Sequence, residues 1–125
     1  METMANVFQN AQQLYRDGFV GGSVDLLQST LEDCPGHGEL WELLGVIYLV
    51  EGQTELALES LERAGSLCSL SFGGNLALAE CYRRRELAVA LRATKMELSL
   101  ENAKRVEAAW EIPVEHESAF QVSSH

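Results

Sequence analysis

Proline is almost absent from this sequence. Pro35 and Pro113 are the only two in 125 residues, so long helices are allowed over most of the chain. No apolar run is long enough, or free enough of Glu, to span a bilayer. The start, Met1-Glu2-Thr3-Met4, lacks the basic segment and apolar stretch of a secretory signal. A cytoplasmic protein with no membrane partner is therefore expected. Positive charge is also scarce, with 9 Lys and Arg against 19 Asp and Glu, a net charge of -10. Nucleic acid and anionic membranes both attract concentrated positive charge, so neither is an expected partner.

Cysteine and histidine are few and poorly spaced for chemistry. Cys34, Cys68 and Cys81 form no C-x-x-C pair and leave one over in any disulfide scheme. They read as small buried hydrophobes. His116-Glu117 begins like the H-E-x-x-H zinc motif, but Phe120 stands at the second His position. There is no G-x-S-x-G, no P-loop and no His–carboxylate cluster. Gly73-Gly74 reads as a loop pair that no strand precedes. No enzymatic activity, metal or cofactor is expected.

What the chain does have is internal repetition. Its length suits one compact domain, and 46% hydrophobic residues suffice for a core. Trp41, Leu44, Gly45 and Tyr48 lie at i, i+3, i+4 and i+7, one face of a helix. Gly52-Gln53-Thr54 reads as a turn, with Gly52 stopping that helix and Thr54 capping the next. Ala57, Leu61 and Ala64 continue along the second helix. Thirty-four residues earlier stand Ala11 for Gly45, Leu14 for Tyr48, Gly18 for Gly52, Ser23 for Ala57 and Leu27 for Leu61. Thirty-four residues later, Leu78, Ala79 and Tyr82 repeat the first helix. Glu86-Leu87-Ala88 matches Glu55-Leu56-Ala57 at an offset of 31, which predicts a shortened third turn. Small residues at 11, 45 and 79 would let paired helices approach closely, answered by Ser23, Ala57 and Ala88. Trp41 and Tyr48 would fill the space between hairpins.

In these residues the chain resembles the tetratricopeptide repeat (TPR) family. Trp41-Glu42-Leu43-Leu44-Gly45-Val46-Ile47-Tyr48 matches the family's W-x2-L-G-x2-Y pattern, and Ala57 with Leu61 matches its A-x3-F, Leu replacing Phe. Pro35 supplies the closing proline of the first repeat, and Ser69 stands in its place in the second. The resemblance spans roughly residues 4 to 105. It implies an all-α solenoid of antiparallel helix hairpins, a single domain over 4–111. The repeats would fall at about 4–37, 38–71 and 72–102, with a capping helix to 111 and a flexible tail over 112–125. The residues from 97 to 111 could instead continue the helix from Glu86 without a break.

The resemblance also implies a concave face that binds another protein's peptide or helix. By helix geometry, Phe8, Gln12, Tyr15 and Arg16 would line it from the first repeat. Glu42, Val46, Leu49 and Val50 would follow from the second, and Leu76, Glu80, Arg83 and Arg84 from the third. Val46, Leu49 and Val50 could instead pack on neighbouring repeats. Some family members clamp an acidic C-terminal peptide with Lys and Asn. Here Gln12 and Val46 replace those asparagines and the first helices carry no Lys, so that mode is not expected. The expected role is an interaction adaptor. The alternatives are a chaperone for an aggregation-prone client, similar to those of bacterial secretion systems, or a self-assembling unit, a possible homo-oligomer. The tail residues Phe120 and Val122 could also occupy the groove.

Charge is unevenly spread. Residues 38–71 carry six acids and one base, whereas seven of the nine bases lie between Arg83 and Arg105. This pattern fits a solvated helix with i,i+4 pairs such as Glu101–Arg105. It also fits steering of an acidic partner to the third repeat, or head-to-tail self-association with the acidic second repeat.

Overall fold

The computed structural model describes residues 3–110, and every element among them is an α-helix. The order is α1 (Met4–Arg16), α2 (Val20–Asp33), α3 (Gly38–Val50), α4 (Thr54–Leu67) and α5 (Phe72–Trp110). The chain divides into two units, Met1–Arg85 and Glu86–His125. The expected tail, with His116, Phe120 and Val122, lies outside the described residues, as does Glu111.

In the first unit, both bounds of α3 lie 34 residues after those of α1, and both bounds of α4 lie 34 after those of α2. The turns repeat as closely. Gly18 and Gly52 take φ values of 89° and 82°, the left-handed region that costs a side-chain-bearing residue 1–2 kcal/mol. Each sits just past a helix end and shares one bond pattern. The Phe19 amide donates to Leu14 O and the Gln53 amide to Tyr48 O, both at 2.8 Å. These six-to-one bonds satisfy carbonyls that the helix ends would otherwise leave open. They also make Gln53 the last residue before α4. Thr54 is the first helical residue, and the expected Thr54 cap is replaced by Gln53, which makes no side-chain cap bond.

The core runs from α1 to the start of α5. Leu27, Leu40, Ile47, Leu61 and Cys81 are fully buried at its centre. Helix α3 packs against α1, α2 and α4, which explains why Leu40–Val50 is apolar nearly all round. A Cβ on Gly45 would lie 2.6 Å from Leu61 Cγ and 3.2 Å from Leu61 N, so α3 and α4 meet here without room for a methyl group. The partner of Gly45 is thus Leu61 rather than Ala57. In the first hairpin the buried Ser23 hydroxyl donates to Ala11 O at 2.7 Å. Tyr48 bridges hairpins as expected, its phenol oxygen accepting from the Gln28 amide of α2. Trp41 donates through Nε1 to Pro35 O at 2.8 Å, and Arg63 lies over its ring at 4.9 Å.

The third hairpin does not form among the described residues. Helix α5 begins at Phe72, again 34 residues after the start of α3, but continues unbroken to Trp110. The position answering Gly18 and Gly52 is Glu86. Without a left-handed glycine, and with Arg, Glu, Leu and Ala from 83 to 88, helix propensity carries the chain through. Ala79 and Ala88 share one helix, about 13 Å apart along its axis, so they cannot face each other. Both are exposed. No separate capping helix forms among the described residues, for the same reason.

In the second unit, residues 86–102 of α5 are exposed at every position, including Leu87, Val89, Leu91, Met96, Leu98 and Leu100.

The Gly45–Leu61 approach generates a stability prediction. Replacing Gly45 by Ala gains about 1 kcal/mol of helix propensity. It forces overlap on Leu61, at a cost of about 1–3 kcal/mol. Because the overlap involves Leu61 Cγ and backbone rather than a flexible tip, Gly45→Ala is expected to lose about 1 kcal/mol net. Urea denaturation with an unchanged m-value would show it.

Candidate interaction surface

The three sets of residues expected to line a face lie on α1, α3 and the start of α5. Helices α1 and α3 are packed side by side. Phe8, Gln12 and Tyr15 are half-buried on α1, and Arg16 is exposed at its end. The Tyr15 phenol donates to Glu51 Oε2 at 3.2 Å. Its pKa is raised, first by burial and then by that carboxylate. On α3, Val46 is half-buried and Val50 is 64% exposed. Leu49 belongs to the core at 9% exposed, which removes it from the surface set. The reason is that α3 is enclosed on several sides, so fewer of its faces reach solvent. On α5, Leu76 and Arg83 are exposed, and Glu80 and Arg84 are half-buried.

Two of these residues are committed to holding α5 against α3. Glu42 accepts from the Ser71 amide at 2.8 Å and the Ser71 hydroxyl at 3.1 Å. Ser71 in turn accepts from the Gly74 amide at 3.1 Å, capping α5. Gly73 and Gly74 therefore open a helix instead of forming a loop, and a Cβ on Gly74 would overlap the Glu42 carboxylate. That carboxylate already sits where an anion would meet the positive end of α5. At the other end of α3, Arg84 Nη1 donates to Leu49 O at 3.3 Å, a cation at a helix C-terminus.

Glu80 organises the charges here. Its carboxylate accepts from Arg83 at 2.6 and 2.9 Å and from Arg84 at 3.0 Å. The arginines hold its pKa down, to about 2. Cys81 beside it is buried, and burial raises its pKa, which keeps the thiol protonated and unreactive.

A second surface lies on the acidic second repeat. A groove of about 580 Å³ runs along α4, lined by Glu55, Leu56, Leu58, Glu59, Glu62, Arg63, Ser66 and Arg85. Glu55, Glu59 and Glu62 share one helix face, and the Tyr82 phenol donates to Glu62 Oε2 at 3.3 Å. The i, i+4, i+7 spacing of these acids was visible in the sequence, but it reads equally as a solvated face. No group of three or more His, Cys, Asp or Glu among the described residues is placed to hold a metal ion. No helix among them is long and apolar enough to cross a membrane.

The Glu80 cluster carries a pH prediction. A depressed carboxylate pKa stabilises the fold at pH above its ordinary value of 4.5, and that contribution fades only as pH falls toward about 2. Carbon-detected NMR of the Glu80 carboxyl is expected to show no titration between pH 6 and 3. Replacing both Arg83 and Arg84 by Gln should return the midpoint toward 4.5.

In comparisons with known proteins, no family model matches this chain, and no curated protein matches it.

Proposed function

We propose that this protein is a cytoplasmic interaction adaptor of the TPR kind, binding a partner's helix or extended peptide on the face formed by α1, α3 and the start of α5. The observation that carries this reading is the 34-residue register. It repeats helix bounds, turn glycines and turn hydrogen bonds alike. Such stacking of hairpins is how short helical repeats build one continuous surface from their first helices.

The chemistry of the face defines the ligand. Phe8, Val46, Val50 and Leu76 offer apolar contacts of graded exposure. The charged residues near them are largely engaged already, Arg83 and Arg84 with Glu80 and Glu42 with Ser71. Recognition is thus driven by apolar anchors at helical or alternating spacing rather than by a charge clamp.

The test uses two exposed positions, 64% and 55% accessible, where substitution leaves the core intact. Val50→Glu combined with Leu76→Glu is expected to weaken a captured partner at least roughly tenfold, or about 1.4 kcal/mol, by calorimetry. Leu56→Glu, exposed on α4 beside Gln28 and Glu32 of α2, should leave the affinity unchanged. Equal effects from both variants would refute the assignment.

A further inference from the structure

The second half of α5 and the groove on α4 are complementary in charge, and each has an exposed apolar edge. Along α4, Glu55, Glu59 and Glu62 form an acidic stripe, with the exposed Leu56 at one edge, while Leu58 at the other is buried in the core. Of the two cations in that groove, Arg63 is held over the Trp41 ring. Along α5, 100° per residue places Ala88, Arg92, Lys95 and Ser99 on one face. Glu86, Glu97 and Glu101 fall on the opposite side. Leu91 and Met96, 55% and 69% exposed, border the cationic face on either edge. Two carboxylates one turn apart thus find two cations at nearly the same spacing, with leucine and methionine outside them.

The repeat pattern gives this complementarity a place. The start of α5 repeats α3, yet α5 runs on past residue 86, so no second helix of that hairpin forms among the described residues. The sequence from 86 nonetheless repeats the start of α4, Glu86-Leu87-Ala88 for Glu55-Leu56-Ala57. An exposed helix carrying six large apolar side chains is a surface that water disfavours. In a two-fold pair each copy would give and receive the same contact, so one surface match is used twice.

We propose that a second copy of this chain covers the groove. Residues 86–105 of one copy lie along α4 of the other, with Arg92 and Lys95 against Glu55, Glu59 and Glu62. The exchange completes in trans the hairpin that the unbroken α5 leaves open. This inference is independent of any partner on the face formed by α1 and α3.

The experiment is sedimentation equilibrium of the full chain with two charge-reversed variants. Arg92→Glu/Lys95→Glu alters only exposed positions on α5, and Glu55→Lys/Glu59→Lys only exposed positions on α4. Wild-type protein should dimerise at low ionic strength and weaken as salt rises. Each variant alone should weaken the dimer roughly tenfold or more, since both bring like charges together. Mixing the two variants should restore association as a heterodimer, with helical content by circular dichroism unchanged throughout. A wild-type monomer at every salt and concentration would overturn the proposal, leaving the groove to another occupant or to none. So would a dimer indifferent to both substitutions, or variants that fail to associate on mixing.

Discussion

The distance between α3 and α4 is set at one point, where Gly45 meets Leu61. There the helix surfaces meet without room for a methyl group, and Leu61 is fully buried as a result. The rest of the first unit follows from that proximity. With α4 drawn in, Ala57, Leu58 and Ala64 close over α3, and α3 presents its remaining faces to α1 and α2. Ala11 and Ser23 perform the same task in the first hairpin by a different means, a short hydrogen bond from hydroxyl to carbonyl. That bond satisfies a buried polar group that would otherwise be costly.

Much of this was legible in the residues themselves. Glycine and small side chains are used where geometry leaves little choice, so Gly18, Gly52 and Gly45 could be read directly as turns and a close approach. The all-α fold and the first two hairpins follow from them. The third hairpin misled because two signals disagreed. The Glu86-Leu87-Ala88 match suggested a second helix, while the residue at the turn position was a glutamate. Local backbone preference decided the outcome, since a packing pattern cannot reverse a helix that lacks a residue able to turn it.

The surface was less legible than the fold, for a related reason. Glu42 looked like a groove residue because it lies off the packing stripe, yet its carboxylate is bound to Ser71, 29 positions away. Arg84 similarly reaches a backbone carbonyl 35 positions away. Bonds of that separation leave no local signature. Of the two readings open for Leu49, packing holds, because a helix enclosed by several neighbours has no clear outer edge. The acidity of the second repeat was legible, but not its focus in a groove along α4, because charges at i, i+4 and i+7 are common on any solvated helix.

One consequence of α5 concerns time rather than shape. Its early residues Gly74, Ala77 and Cys81 are buried, so their amides are released to solvent only when the first unit opens as a whole. From residue 86 to 102 the side chains are exposed, and protection there rests on the helix's own hydrogen bonds. Helix–coil exchange in an exposed stretch of that kind takes about a microsecond or less. A single unbroken helix thus contains two clocks, a slow one fixed by a core and a fast one that only a covering surface could slow.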